Sequence, residues 1–124
     1  MKETKEEIFK ALKPVLEKSL PSGRFESAKP GRFDVYGKKK VTVGKKVFEG
    51  MYFASVIIQK NFVGLYFFPI YTHPHEFKDV PAELKKCLKG KSCFHITKHD
   101  EELFSQIKAL LKKGIQIYKK EKWI

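Results

Sequence analysis

The stretch Phe53-Ala-Ser-Val-Ile-Ile-Gln-Lys-Asn-Phe-Val-Gly-Leu-Tyr-Phe-Phe-Pro-Ile-Tyr71 constrains the fold of this chain more than any other. It consists of two runs of β-branched and aromatic residues broken by the polar triplet Gln59-Lys60-Asn61, a pattern that predicts a β-hairpin with strands near 51–59 and 62–70. A membrane span is the competing reading of so apolar a run. Lys60 near its middle would cost about 2.5–3.5 kcal/mol in a bilayer, and Pro69 lies inside it, so the span is rejected.

Around the hairpin, the periodicity predicts an α+β domain covering residues 1–124. Thr4-Lys-Glu-Glu7 is a capping box, in which hydroxyl and carboxylate satisfy open backbone donors, and Ile8, Leu12, Val15 and Leu16 follow at helical spacing. A helix over 5–19 results, with Pro14 removing one of its internal bonds. Residues 32–36 alternate as a strand, and 39–49 read as a mobile hairpin turning at Gly44-Lys45. Pro81 opens a short helix that closes before Gly90, residues 91–97 form a last strand, and Asp100 caps a long terminal helix. Leu103, Ile107, Leu110, Leu111, Ile115 and Tyr118 form the buried stripe of that helix. The expected architecture is an antiparallel sheet of about four to five strands packed by an N-terminal and a C-terminal helix, with a short helix before the last strand.

Strand period two then assigns faces. Val63, Leu65 and Phe67 share one side of the central hairpin, while Phe62, Tyr66, Phe68 and Ile70 share the other. On the last strand Phe94 and Ile96 face the helices, which sends Cys93 and His95 to the opposite side. A strand apolar on both sides needs cover on both. Two helices can cover one face; the other calls for the 38–50 segment, a second copy of the chain or a ligand. Tyr66, Phe68, Cys93 and His95 are therefore the candidate ligand-binding residues, with an aromatic wall and a few polar groups suited to a small anionic or aromatic molecule.

Charge supplies a second hypothesis. The formal net charge is +12, from 26 Lys+Arg against 14 Asp+Glu. The surplus concentrates in residues 24–48, where Lys38, Lys39, Lys40, Lys45 and Lys46 crowd the predicted hairpin, and in the acid-free window 84–99. Such a field draws anionic partners, and lysine contacts to phosphate predict weak, sequence-tolerant nucleic-acid binding. Tyr36, Tyr52 and Tyr66 near these lysines have the composition of a base-stacking platform.

Catalysis finds less support. His73, His75, His95 and His99 are good ligands for a metal such as zinc, but their spacing matches no metal-binding motif. Cys93 beside His95 lacks the third group that orients a nucleophile and its base. The chain is expected to be non-catalytic, without a cofactor. The charged amino terminus Met1–Glu7 lacks the apolar region of a signal peptide, and Cys87 and Cys93 read as reduced thiols, so a cytoplasmic location is expected.

Met51-Tyr-Phe-Ala-Ser, Val63-Gly-Leu-Tyr-Phe, Leu88-Lys-Gly-Lys-Ser-Cys-Phe-His-Ile96 and the closing Trp123-Ile124 resemble the bacterial YdhG-like, DUF1801-type domain. The resemblance covers roughly residues 33–124, with Leu88 to Ile96 its most specific piece. It implies an α+β fold with an antiparallel sheet packed by terminal helices, and assigns no residue a role. The same layout is similar to that of frataxins, which present an acidic helix and edge where this chain is basic.

Overall fold

The computed structural model describes residues 4–124; Met1, Lys2 and Glu3 of the charged amino terminus lie outside the described residues. Helix α1 (Lys5–Ser19) starts where the capping box places it, with the Thr4 hydroxyl accepting from the Glu7 amide at 3.1 Å. Strands β1 (Arg24–Glu26) and β2 (Arg32–Tyr36) follow, then β3 (Val41–Val43) and β4 (Lys46–Phe48), then the central pair β5 (Tyr52–Ile58) and β6 (Val63–Phe67). Helix α2 (Phe68–Thr72), a 3-10 turn (Pro74–Phe77) and α3 (Ala82–Cys87) lead to β7 (Leu88–Lys89), β8 (Cys93–Ile96) and the long α4 (Glu101–Lys120). Asp100 caps α4 by accepting from the amides of Glu102 and Leu103.

Among the described residues, six strands form one antiparallel sheet in the order β1-β2-β5-β6-β8-β7, and β3 and β4 pair only with each other. The count exceeds the expected four to five because β1 and β7 are edge strands of three and two residues. Neither is long enough to show an alternation in sequence. A second difference concerns 62–70, where the strand stops at Phe67 and Phe68 begins a helix. Pro69 explains it, since proline has no amide for the ladder and suits the first turn of a helix.

The core lies on one side of the sheet. Phe33, Val35, Val56, Leu65, Phe67, Phe94 and Ile96 meet Ile8, Leu12 and Leu16 of α1 and Leu103, Ile107 and Leu111 of α4. Gly114 lets α4 approach closely: a Cβ there would lie 2.6 Å from the Phe67 ring. The opposite side of the sheet carries no helix of comparable length, and the functional question turns on it.

Candidate functional site

Strand register identifies the residues of the open face. Tyr66 stands opposite Cys93 and Ser55, Ser55 opposite Asp34, and His95 opposite Gly64, so these side chains project from the face away from the core. Tyr66, Cys93 and His95 thus share a face, as the pleat predicts. Phe68 reaches the same region differently. It is the first residue of α2, and its ring lies 5.6 Å from that of Tyr52.

A β-bulge shapes this end of the face. Val35 pairs with Ala54, yet Tyr36 pairs with Tyr52, which leaves Phe53 as an extra residue in β5. The bulge lets Phe53 and Ala54 both be buried, Phe53 against Phe67 and Tyr118, and turns Tyr52 out beside Tyr36. From the core side, the Tyr118 hydroxyl donates to the Tyr52 carbonyl.

A row of four rings results. Tyr36 and Tyr52 have centroids 5.4 Å apart, Tyr52 and Phe68 5.6 Å, and Phe68 and Tyr71 5.5 Å. A cation closes each end. The Arg24 guanidinium lies 4.3 Å above Tyr36, and Lys91 Nζ sits 5.8 Å from the Tyr71 centroid. Tyr36, Tyr52 and Phe68 are half-buried, and Tyr71 is 51% exposed.

Behind the row runs a polar chain. Ser55 Oγ donates to Asp34 Oδ1, Tyr52 Oη lies 2.6 Å from Ser55 Oγ, and Arg32 Nε donates to Asp34 Oδ2 at 3.0 Å. Asp34 is nearly inaccessible, and both its oxygens are engaged. Burial pushes the Tyr52 phenol up to about 12. Farther along, the Tyr66 hydroxyl accepts from Gln59 Nε2, and its ring lies where a Cβ on Gly64 would clash. Burial, and then the neighbouring Cys93 thiol, raise the Tyr66 phenol. Phe62 and His95 stack face to face at 3.6 Å.

Neither Cys93 nor Ser55 is set up as a nucleophile. Burial raises the Cys93 thiol, the opposite of what an attacking thiolate needs. Ser55 is 1% exposed and has its hydrogen committed to Asp34. Of the histidines, His73 and His75 lie near each other, with ring centroids 6.4 Å apart. His73 contacts Thr72, Glu121 and Trp123, exposed His75 sits near Glu76, His95 stacks on Phe62, and His99 packs against Phe104. Among the described residues, no group of three or more His, Cys, Asp or Glu is placed to hold a metal ion.

Lys38, Lys39, Lys40, Lys45 and Lys46 are all exposed, the first three on the approach to β3 and the last two on the β3–β4 hairpin, which turns at Gly44 with φ +62°. The Gly37 amide donates to the Met51 carbonyl at the base of this segment, so Lys38 to Lys40 leave the sheet two to four residues after Tyr36. In this segment Val43 and Val47 are exposed, whereas Val41 is buried and Phe48 packs against the core. Sequence reasoning passed over Arg24, Arg32 and Tyr71. The signal for two of them was their rarity, because Arg24 and Arg32 are the chain's only arginines, and both stand on this face.

On the helix side, a groove of about 440 Å³ runs between Pro14, Val15 and Lys18 of α1 and Lys108, Leu111 and Ile115 of α4. Comparison of the chain with family models, with curated proteins and with solved structures finds no match.

Proposed function

We propose that this chain is a small non-catalytic binding domain whose open sheet face takes an aromatic, anionic ligand. The observation that carries the reading is the row Tyr36, Tyr52, Phe68 and Tyr71 with Arg24 at one end and Lys91 at the other. Rings offer stacking surface to a planar group, and cations flanking them favour negative charge. Arg32, fixed by Asp34, adds a positioned guanidinium on the same face. Tyr66, Cys93 and His95 extend the surface along the sheet.

The proposal includes a cytosolic setting, supported by the two free thiols, and no helix among the described residues is long and apolar enough to cross a membrane. It also includes membership of the YdhG-like, DUF1801-type group, supported by the α+β layout with terminal helices on one side of an antiparallel sheet. Thermal-shift measurements with nucleoside monophosphates and riboflavin phosphate test the binding reading. A ligand at one hundred times its Kd should stabilise the fold by about 2.7 kcal/mol. Tyr36→Ala should abolish the shift. No stabilisation by these compounds or by any oligonucleotide would overturn the reading.

A further inference from the structure

We propose that the ring row is a platform for single-stranded nucleic acid, a deepening that rests on the open face being the ligand face. Bases stack on Tyr36, Tyr52, Phe68 and Tyr71, and Arg24, Lys91, Lys38, Lys39 and Lys40 hold phosphates.

The repetition of the site argues for a polymer. A monomeric aromatic anion needs one ring and one cation, whereas this face presents four rings in series with a cation at each end. The rings are 5.4–5.6 Å apart, wider than the rise of about 3.4 Å between stacked bases in a duplex strand. Successive bases can therefore splay over successive rings, which only an unpaired strand permits. The Arg24 guanidinium sits 4.3 Å from the Tyr36 centroid and is paired with Glu26, so cation and ring are preassembled at one end.

Charge completes the argument. Lys38, Lys39 and Lys40 leave the row directly after Tyr36 and Gly37, and all three are exposed. The net charge of +12 adds long-range attraction for a polyanion. A neutral sugar polymer would stack on rings without needing the flanking cations. An acidic peptide would use the cations but leave four rings without planar partners.

Fluorescence anisotropy with labelled 12-mers of dT and of U, titrated from about 20 to 200 mM salt, tests the platform. Binding of either strand supports it, and the tighter one identifies the natural sugar. Tyr71→Ala should weaken binding by about tenfold or more, while Tyr71→Phe, which keeps the ring and drops only the hydroxyl, should bind like wild type. Because Tyr71 is 51% exposed, its removal leaves the core intact, which the melting temperature checks. Replacing Lys38, Lys39 and Lys40 together by Ala should lower the slope of log K against log salt by about 2. A duplex of the same length should bind at least about tenfold more weakly. The inference is overturned by no binding at low salt, by wild-type affinity in Tyr71→Ala, by duplex bound as tightly as single strand, or by polyglutamate competing equally. A monophosphate that binds the face as tightly as the 12-mers also overturns it, while leaving the binding-domain reading standing.

Discussion

Ser55 beside Asp34 has the look of a hydroxyl next to its activating carboxylate, and the hydrogen count decides otherwise. Ser55 has one hydrogen, and Asp34 Oδ1 takes it; Tyr52 then supplies its own to Ser55 Oγ, while Arg32 satisfies Oδ2. Every group is used in holding Tyr52 within the ring row. Holding it there buries the phenol and pushes it up to about 12, against an ordinary value near 10. Since the neutral form is the one the fold favours, the stabilisation is fully present below pH 10 and is lost as pH rises through 12. Buried Tyr118 is displaced in the same direction for the same reason. Unfolding free energy from urea titrations should therefore fall above pH 10, by up to about 1.4 kcal/mol per pH unit for Tyr52 alone. Tyr52→Phe should flatten that fall, with the absorbance of ionised tyrosine at 295 nm following the same transition. A wild-type stability level from pH 10 to 12 would mean that Tyr52 is not held neutral by burial.

Helix α4 shows two element-level forces in conflict at Gly114. Helix propensity alone favours alanine there by about 1 kcal/mol. The ring of Phe67 stands 2.6 Å and that of Phe53 3.0 Å from where a Cβ would be, and both rings are fully buried with nowhere to yield. Overpacking costs about 1–3 kcal/mol, so Gly114→Ala should lower the stability by about 1 kcal/mol net, read from the urea midpoint. A stabilised variant would show that α4 stands farther from the sheet. The stripe of α4, its Asp100 cap and the capping box of α1 were legible in sequence because each rests on neighbours one or two turns apart. So was the sharing of one face by Cys93 and His95, which needs only the two-residue period of a strand; that Tyr66 joins them rests on β6 lying beside β8. The ring row was not. It depends on an extra residue at Phe53 that reverses the alternation and sends Tyr52 outward, and on Pro69 ending β6 so that Phe68 and Tyr71 curl back beside it. Tyr36 and Tyr52 could be suspected from their lysine neighbours; their contact could not, since it is set by which strands lie side by side.

At the scale of the whole molecule the sheet is two-sided in kind, with α1 and α4 on its core face and rings and guanidiniums on the other. A second copy of the chain was one of the expected occupants of that open face, and electrostatics bears on it directly. A twofold dimer is isologous, so it would set a surface carrying Arg24, Arg32 and Lys91 against its own copy. Each chain brings a net charge of +12, and although Arg24 is paired with Glu26 and Arg32 with the buried Asp34, Lys91 and the exposed Lys38, Lys39 and Lys40 keep this side of the molecule positive. Like charges brought together raise the energy most where salt is low, because the repulsion is then least screened. Sedimentation velocity at about 50 mM salt should accordingly give a monomer of 14.5 kDa. A single-stranded oligonucleotide long enough to cross two ring rows should bring two chains together, since it replaces repulsion between the faces with a shared polyanion. Dimerisation at low salt without nucleic acid, abolished by Tyr71→Ala, would instead identify the partner of this face as the chain itself.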